Sequence, residues 1–506
     1  MSSHSFSSVP GLVLTLASLF GSGAFSTPTA ASPARPNVLF IAVDDLRSDL
    51  GTLGATHART PALDTFAATS RIFSNHYVQV PTCGASRSAL LRGRYPSEPA
   101  HLSNSAIATT HEQWGDANLP AWFQRHGYRT LSLGKITHHP GGRTGRLWAE
   151  GPEELPSSWE RAWIPETPWG APERIMHGYA NGVARVPGKS PPWEAVDGAD
   201  NAYPDAWIAE DAETTLVTLQ KSREPWFFAV GFFKPHLPFA APRRWFYLHD
   251  ADKIPGPSAE AGAKPSWPST WHASGEFRNN YGHAGRDVIT DSDYAQLLRH
   301  AYAANVSYVD AQIGRLLAAL DRVDPNRETI VVLWSDHGFL LGEHAIWGKH
   351  CLYEQALRSP LFIRAPGLRE PGATTAATVE SIDIFPTLVD LCGLPQPANL
   401  DGTSLRPFLE RPRATALKPA RGFWTNGQRT LRNERWRLIA APQADGSTQW
   451  ELFDYQTDPD ESRNHAATFP DEVRRLNEEI ELRPRIAQGP SKGGAMAPSP
   501  TTQTQK

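Results

Sequence analysis

The sequence predicts an α/β protein, a mainly parallel sheet flanked by helices, and three observations predict it. Strand-length apolar runs alternate along the chain with segments of helical periodicity. The runs are apolar at consecutive positions, as strands covered on both faces require. Four of them stop at charged or His-containing turns: Asp44-Asp45, Gly134-Lys135, Lys234-Pro235-His236 and Ser335-Asp336-His337-Gly338. Open α/β sheets bind ligands beyond the carboxyl ends of their strands, so the four turns are expected to meet in one pocket.

The elements follow in order. An apolar run at 10–25, then small residues at 26–31, reads as a secretory signal over residues 1–31, although no Lys or Arg precedes it. It falls short of the roughly 20 residues that span a bilayer. No later segment is apolar enough to span, so an exported protein, periplasmic or secreted, is expected. Residues 37–43 form the first strand, 119–126 a helix capped by Gly127, and 130–133 the next strand. Residues 149–222 are rich in Pro, Trp and Gly with little periodicity and read as long loops over the sheet, as do 251–280. Strands follow at 226–233 and 329–334. Between them an amphipathic helix at 306–323 places Val306, Val309, Ile313, Leu316, Leu317 and Leu320 on one face. A further helix at 381–391 carries Pro386 in its first turns and Gly393 at its end. Short strands at 422–425, 436–440 and 450–455, then a helix at 469–482, predict a small C-terminal antiparallel sheet. The expected organisation is a catalytic domain at 36–415, an α+β subdomain at 416–485 and a disordered Pro/Gly/Ser-rich tail at 486–506.

Composition narrows the function. With 49 basic and 53 acidic residues the formal charge is −4, which disfavours a nucleic-acid partner. Three Cys residues exclude a disulfide framework and a Cys-rich zinc site. Seventeen Trp residues serve as core and loop anchors or as flat surfaces for ligands such as sugars.

Three carboxylates and an imidazole converging from Asp44, Asp45, Asp336 and His337 would repel one another without a cation. Hard oxygen ligands suit Ca²⁺ or Mg²⁺. By spacing alone, the Asp pair serves equally as a helix cap and Asp336-His337 as a turn. Cys83 lies where a loop enters a helix, whose free amides favour an anion, and Arg87 one turn on adds a guanidinium. A buried inert thiol is the other reading.

The stretch Cys83-Gly84-Ala85-Ser86-Arg87, with Leu91, Gly93 and Arg94 following, resembles the signature of the type I, formylglycine-dependent sulfatases. Ala85 stands where Pro is commoner, and Arg92 where the family has Thr. Gly134-Lys135-Ile136-Thr137-His138, Lys234 through Phe239, and Ser335 through Gly338 with Gly342-Glu343-His344 and Trp347-Gly348-Lys349 are similar to segments of the subgroup around iduronate-2-sulfatase and its bacterial relatives. The resemblance covers most of 36–460. It implies an alkaline-phosphatase-like fold with a large mixed sheet, and hydrolysis of a sulfated saccharide, a 2-O-sulfated uronic acid in the subgroup. It also implies a maturing enzyme that oxidises Cys83 to formylglycine (3-oxoalanine). The metal, Ca²⁺ or Mg²⁺, would be held by Asp44, Asp45, position 83, Asp336 and His337.

Under that resemblance the hydrated aldehyde at 83 attacks sulfur to give a covalent sulfo-enzyme, and collapse of the second hydroxyl expels sulfate, which a thiol cannot do. Arg87 steadies the metal-site charges, Lys135 and Lys349 bind sulfate, and His236 and His138 are the acid for the leaving alcohol and the base for the collapse, in that order or exchanged. Two other functions compete. One is a phosphate or phosphonate ester hydrolase of the same superfamily, which two zinc ions per chain would favour. The other is a non-catalytic relative that binds sulfated glycans through an unconverted Cys83.

Overall fold

A computed structural model of the chain describes residues 35–482 apart from 145–150, 168, 170–171, 268–269 and 415–417. The expected signal at 1–31 and tail at 486–506 lie outside the described residues.

The architecture is alkaline-phosphatase-like. Its core is an eight-stranded sheet of β1 (Val38–Val43), β2 (Arg71–Tyr77), β3 (Arg129–Gly134), β4 (Arg161–Trp163), β5 (Trp226–Phe232), β6 (Ile330–Ser335), β7 (Leu361–Arg364) and β8 (Thr374–Glu380), in the order β8-β2-β7-β6-β1-β5-β3-β4. Only β7 runs antiparallel to its neighbours, β2 and β6. β1 is buried along its whole length, and each large apolar side chain so covered contributes about 1.5–3 kcal/mol. Pairing places Val43 opposite both Phe232 and Ser335, and Gly134 opposite Gly231. The four strands that end in charged turns therefore end at one level.

Helices α1 (Cys83–Arg92), α2 (Leu119–Arg125), α3 (Pro204–Leu219), α4 (Ser292–Val323) and α5 (Ile384–Leu391) flank the sheet. Two of them correct the sequence reading. The helix expected at 306–323 begins at Ser292, where the Asp291 carboxylate caps it by accepting from Tyr294 N at 2.9 Å. Its added half buries Ala295, Leu298, Ala301 and Tyr302. The stretch 149–222 is not all loop: α3 lies within it, burying Ala206, Ile208, Ala209, Ala212 and Leu216 and packing on α4. Small alanines carry much of both faces, so large apolar residues trace no clear stripe.

The C-terminal sheet has four antiparallel strands, β9 (Ala420–Phe423), β10 (Arg429–Arg432), β11 (Trp436–Pro442) and β12 (Thr448–Asp454). β10, Arg-Thr-Leu-Arg, carries no apolar alternation and escapes sequence reading. Helix α6 (Pro470–Glu481) covers the sheet with Val473, Leu476 and Ile480 against Leu431, Leu438 and Leu452.

A buried ion cluster ties this sheet to the rest. Arg437 donates to Glu354 (2.6 Å) and pairs with Glu461 (2.8 Å). Burial would raise both carboxyls. Arg432 and Arg437 nonetheless hold Glu354 down to about 2, whereas burial wins at Glu461, raised from 4.5 to about 7. A raised acid binds its proton more tightly in the folded state. Its contribution is therefore complete below 4.5 and lost as pH rises through about 7. Glu461→Gln is expected to remove that loss, so the gap between wild-type and variant melting temperatures changes across this interval. A pH-independent gap would contradict the assignment. Glu354→Ala, which leaves Glu461 as the carboxyl beside Arg437 and takes the Glu354 carboxylate from Arg432 as well, is expected to cost about 3 kcal/mol.

Candidate active site

The four turns meet around Cys83, as expected. Cys83 opens α1 and is 2% exposed. Asn104 Oδ1 holds this helix start, accepting from Gly84 N (3.0 Å) and Thr82 Oγ1 (3.1 Å). A Cβ on Gly84 would lie 2.2 Å from Asn104 O, so the residue after Cys83 must be glycine. The thiol Sγ is 3.3 Å from His337 Nε2 and 3.6 Å from Lys349 Nζ. Burial, then the Asp44 charge, pushes it well up, so the encoded thiol is neutral.

Arg87 lies one turn further and is fully buried. It donates to Asp336 Oδ2 (2.9 Å), Asp44 Oδ1 (3.2 Å) and the carbonyls of Lys135 (2.5 Å) and Ile136 (3.2 Å). Lys135 Nζ reaches Asp44 Oδ2 at 2.5 Å, and Lys349 Nζ reaches Asp45 Oδ1 at 2.9 Å. Burial would raise the Asp44 carboxyl, yet Lys135, His236 and Arg87 hold it well below the usual range. Burial wins at Asp336, whose carboxyl is raised despite Arg87. Burial opposes the charge on both lysines, but Asp44 lifts Lys135 and Asp45 lifts Lys349 above the ordinary amine range. Asp45 adopts a left-handed backbone, φ +60°. Its carbonyl accepts from Tyr302 Oη (2.7 Å) and its N–H donates to Asp336 Oδ1 (3.1 Å), bonds that hold a conformation costing about 1–3 kcal/mol.

His236 Nδ1–H donates to Leu237 O at 2.7 Å, which leaves Nε2 facing the site. His337 Nδ1 likewise donates to Gly338 O at 3.0 Å. His138 lies in the turn after β3, half-buried, with Nδ1 free of hydrogen bonds. Burial, then Lys135, holds it well below the usual imidazole range. All ten residues expected from the sequence thus come to the ends of the central strands, with His138 at the edge. Cys351 and Cys392 are buried and form no disulfide.

Three further residues belong to the site. Glu276 lies 3.5 Å from both His236 Nε2 and Lys349 Nζ. Asp205, at the start of α3, accepts from Phe233 N (2.8 Å) and Lys234 N (2.9 Å) and fixes the turn that carries His236. Asn104 is the third. None lies in a motif, and only Asp205, next to a helix-starting Pro, left a signal that spacing could have found.

Backbone also approaches backbone tightly beneath the site, at Gly231. A Cβ on Gly231 would lie 2.1 Å from Lys135 O, the carbonyl that Arg87 holds. Gly231→Ala is expected to displace Lys135 and Arg87 and to lower turnover by about 10²-fold in a protein that still folds. Unchanged turnover would show that this approach is not needed.

Ligand atoms of Asp44, Asp45, Cys83 and His236 lie within 4.8 Å of one another, as do those of Cys83, Asp336 and His337. A donor set dominated by carboxylate oxygen fits a hard divalent cation. With the cations beyond it, the pocket is suited to an anionic oxyester, and fold and site place the chain among the alkaline-phosphatase-like sulfuric ester hydrolases. It belongs to the sulfatase family, whose domain matches residues 36–394. The C-terminal domain described as N-sulphoglucosamine sulphohydrolase, C-terminal, matches 342–483. A sulfatase from Formosa agariphila is 30% identical over 469 residues, 86% of this chain and 84% of that protein. Human iduronate 2-sulfatase is 31% identical over 402 residues, 71% of this chain and 70% of that protein. Among solved structures, the phosphonate monoester hydrolase of Agrobacterium radiobacter superposes with a TM-score of 0.72 at 23% identity, covering 88% of this chain and 95% of that one. That likeness is one of fold.

Proposed function

We propose that the chain hydrolyses sulfate esters of carbohydrates, a 2-O-sulfated uronic acid being the substrate class, with formylglycine formed from Cys83 and a bound Ca²⁺ or Mg²⁺. The observation that carries this reading is the enclosure of Cys83 by three carboxylates and three cations at the ends of four strands. The similarity to iduronate 2-sulfatase supports the substrate class.

Asp44, Asp45, Asp336 and His337, with position 83, would hold the cation, which when bound neutralises sulfate oxygens. Formylglycine supplies an oxygen nucleophile that can return to the aldehyde, as a thiol cannot. Lys135 and Lys349 bind the sulfate oxygens, each anchored to one Asp of the pair. Arg87 fixes Asp44 and Asp336. His236, its Nδ1 committed to a carbonyl, gives a proton from Nε2 to the leaving alcohol. His138, held neutral, takes a proton during sulfate release. His236→Ala is expected to lose about 10²–10⁴-fold on a sugar sulfate and far less on an activated aryl sulfate, which needs no acid. Equal losses would remove His236 from that role.

Residues 1–31 act as a signal for export to the periplasm or medium, and no described helix is long and apolar enough to cross a membrane. A formylglycine-generating or other sulfatase-maturing enzyme is the partner in synthesis. We assign 36–415 to the catalytic domain and 416–485 to the C-terminal subdomain. The decisive experiment weighs the tryptic peptide 72–87 from protein of the native host. An aldehyde at position 83 supports the reading and a thiol contradicts it. Sulfate release from a terminal iduronate-2-sulfate disaccharide tests the substrate.

A further inference from the structure

We propose that Arg185, backed by Tyr281 and His177, is a carboxylate-binding subsite beside the sulfate centre, selecting a sulfated uronic acid over an uncharged sulfated sugar. The inference rests on the substrate class proposed above and names the residue that reads it.

Arg185 is half-buried, and its Nη1 donates a single long bond to Tyr281 Oη (3.4 Å) while the guanidinium lies 5.5 Å from the Tyr281 ring centroid. Among the described residues it makes no ion pair, whereas the catalytic cations are each matched to a carboxylate. A guanidinium offers five N–H donors in a fork that fits a carboxylate, and most of them are unused. Its place is next to the chemistry. After burial, the Arg185 charge is the foremost influence depressing the His177 imidazole, and the His177 ring lies 5.3 Å from that of His236. His177 Nδ1 is buried without a hydrogen bond, and Glu276 Oε2 makes only its 3.5 Å ion pair with Lys349. Tyr281 feels both Arg185 and Glu276. Around His236 the chain therefore sets a cation, an imidazole and a carboxylate with unused hydrogen-bonding capacity. A sugar ring bearing one carboxylate and free hydroxyls matches that set: the carboxylate to Arg185, hydroxyls to His177 and Glu276.

The segment is held firmly enough to discriminate. Tyr179 N donates to Val183 O (2.9 Å), and Gly282 N to Ser190 O (2.8 Å), so the strap carrying Arg185 is tied beside Tyr281. Gly182, at φ +73°, turns the strap where a Cβ would strike the Trp169 ring at 2.2 Å.

The test measures, by calorimetry, binding of a terminal 2-O-sulfated iduronate disaccharide and its carboxyl-reduced analogue to the Ca²⁺-loaded Cys83→Ala protein, which cannot turn them over. The uronate is expected to bind about 10- to 100-fold more tightly than the reduced sugar. Arg185→Ala is expected to abolish that preference by weakening the uronate alone, and Arg185→Lys to restore part of it. In the matured enzyme Arg185→Ala should raise KM for the uronate with kcat little changed. Equal weakening of both sugars by Arg185→Ala, or no effect on either, overturns the subsite and leaves the substrate class standing. Binding of neither sugar before Arg185 is changed overturns the substrate class and the subsite with it.

Discussion

Cys83→Ala lowers sulfate release by on the order of 10⁴- to 10⁶-fold, the loss that follows removal of a covalent nucleophile, while the urea midpoint barely moves. The two outcomes have separate causes. The side chain is buried at the start of α1, against His337 and Lys349. Trimming one sulfur there leaves a small void worth about 1 kcal/mol and strands no charge, because Lys349 keeps Asp45. The helix start is held by Asn104 and Gly84, not by the thiol. A variant that retains a tenth of wild-type turnover would rule out position 83 as the nucleophile. A variant that no longer folds would show the sulfur to be structural.

Removing the divalent cation with a chelator is expected to abolish turnover, reversibly on adding Ca²⁺, without unfolding the protein. Three clustered carboxylates usually cannot survive the loss of their metal, since each uncompensated buried charge costs several kcal/mol. Here Arg87, Lys135 and Lys349 supply three positive charges to Asp44, Asp45 and Asp336, so the metal-free cluster is already balanced. Bound cation adds only the stabilisation set by its concentration and affinity. Activity and circular dichroism, followed together during dialysis against chelator, check this. Loss of secondary structure in step with activity would contradict it, as would full activity after chelation.

The site was more legible than the scaffold. Asp44-Asp45, Asp336-His337 and Lys234-Pro235-His236 follow strands with unmistakable apolar runs, and a parallel sheet brings such strand ends together whatever the loops do. The scaffold hides its signals in small or satisfied residues. β2 was not read because Arg71, Asn75 and His76 interrupt it; Arg71 is nonetheless buried, its guanidinium spent on the carbonyls of Phe408, Arg369 and Ala373. α3 and the first half of α4 bury alanines, whose periodicity is faint. Glu276 lies in a six-residue helix, Gly275–Asn280, inside a stretch without pattern. It reaches His236 only through the fold, and no spacing rule connects positions 236 and 276.

If Cys83 is converted as proposed, its depth fixes an order of events in the life of each molecule. A modifying enzyme must draw the sulfur and several flanking residues into its own cleft. In the finished fold that sulfur is 2% exposed and its neighbours on both sides are pinned by Asn104. The proposed oxidation would therefore be open to the chain only before α1 docks, and folding would close the window. On the conversion proposed above, the two processes would run as a race on each newly made chain, because a molecule folded with its thiol buried would have no route back short of unfolding. A preparation would then mix converted and unconverted molecules. Its specific activity reports how fast the chain was made relative to how fast it was modified.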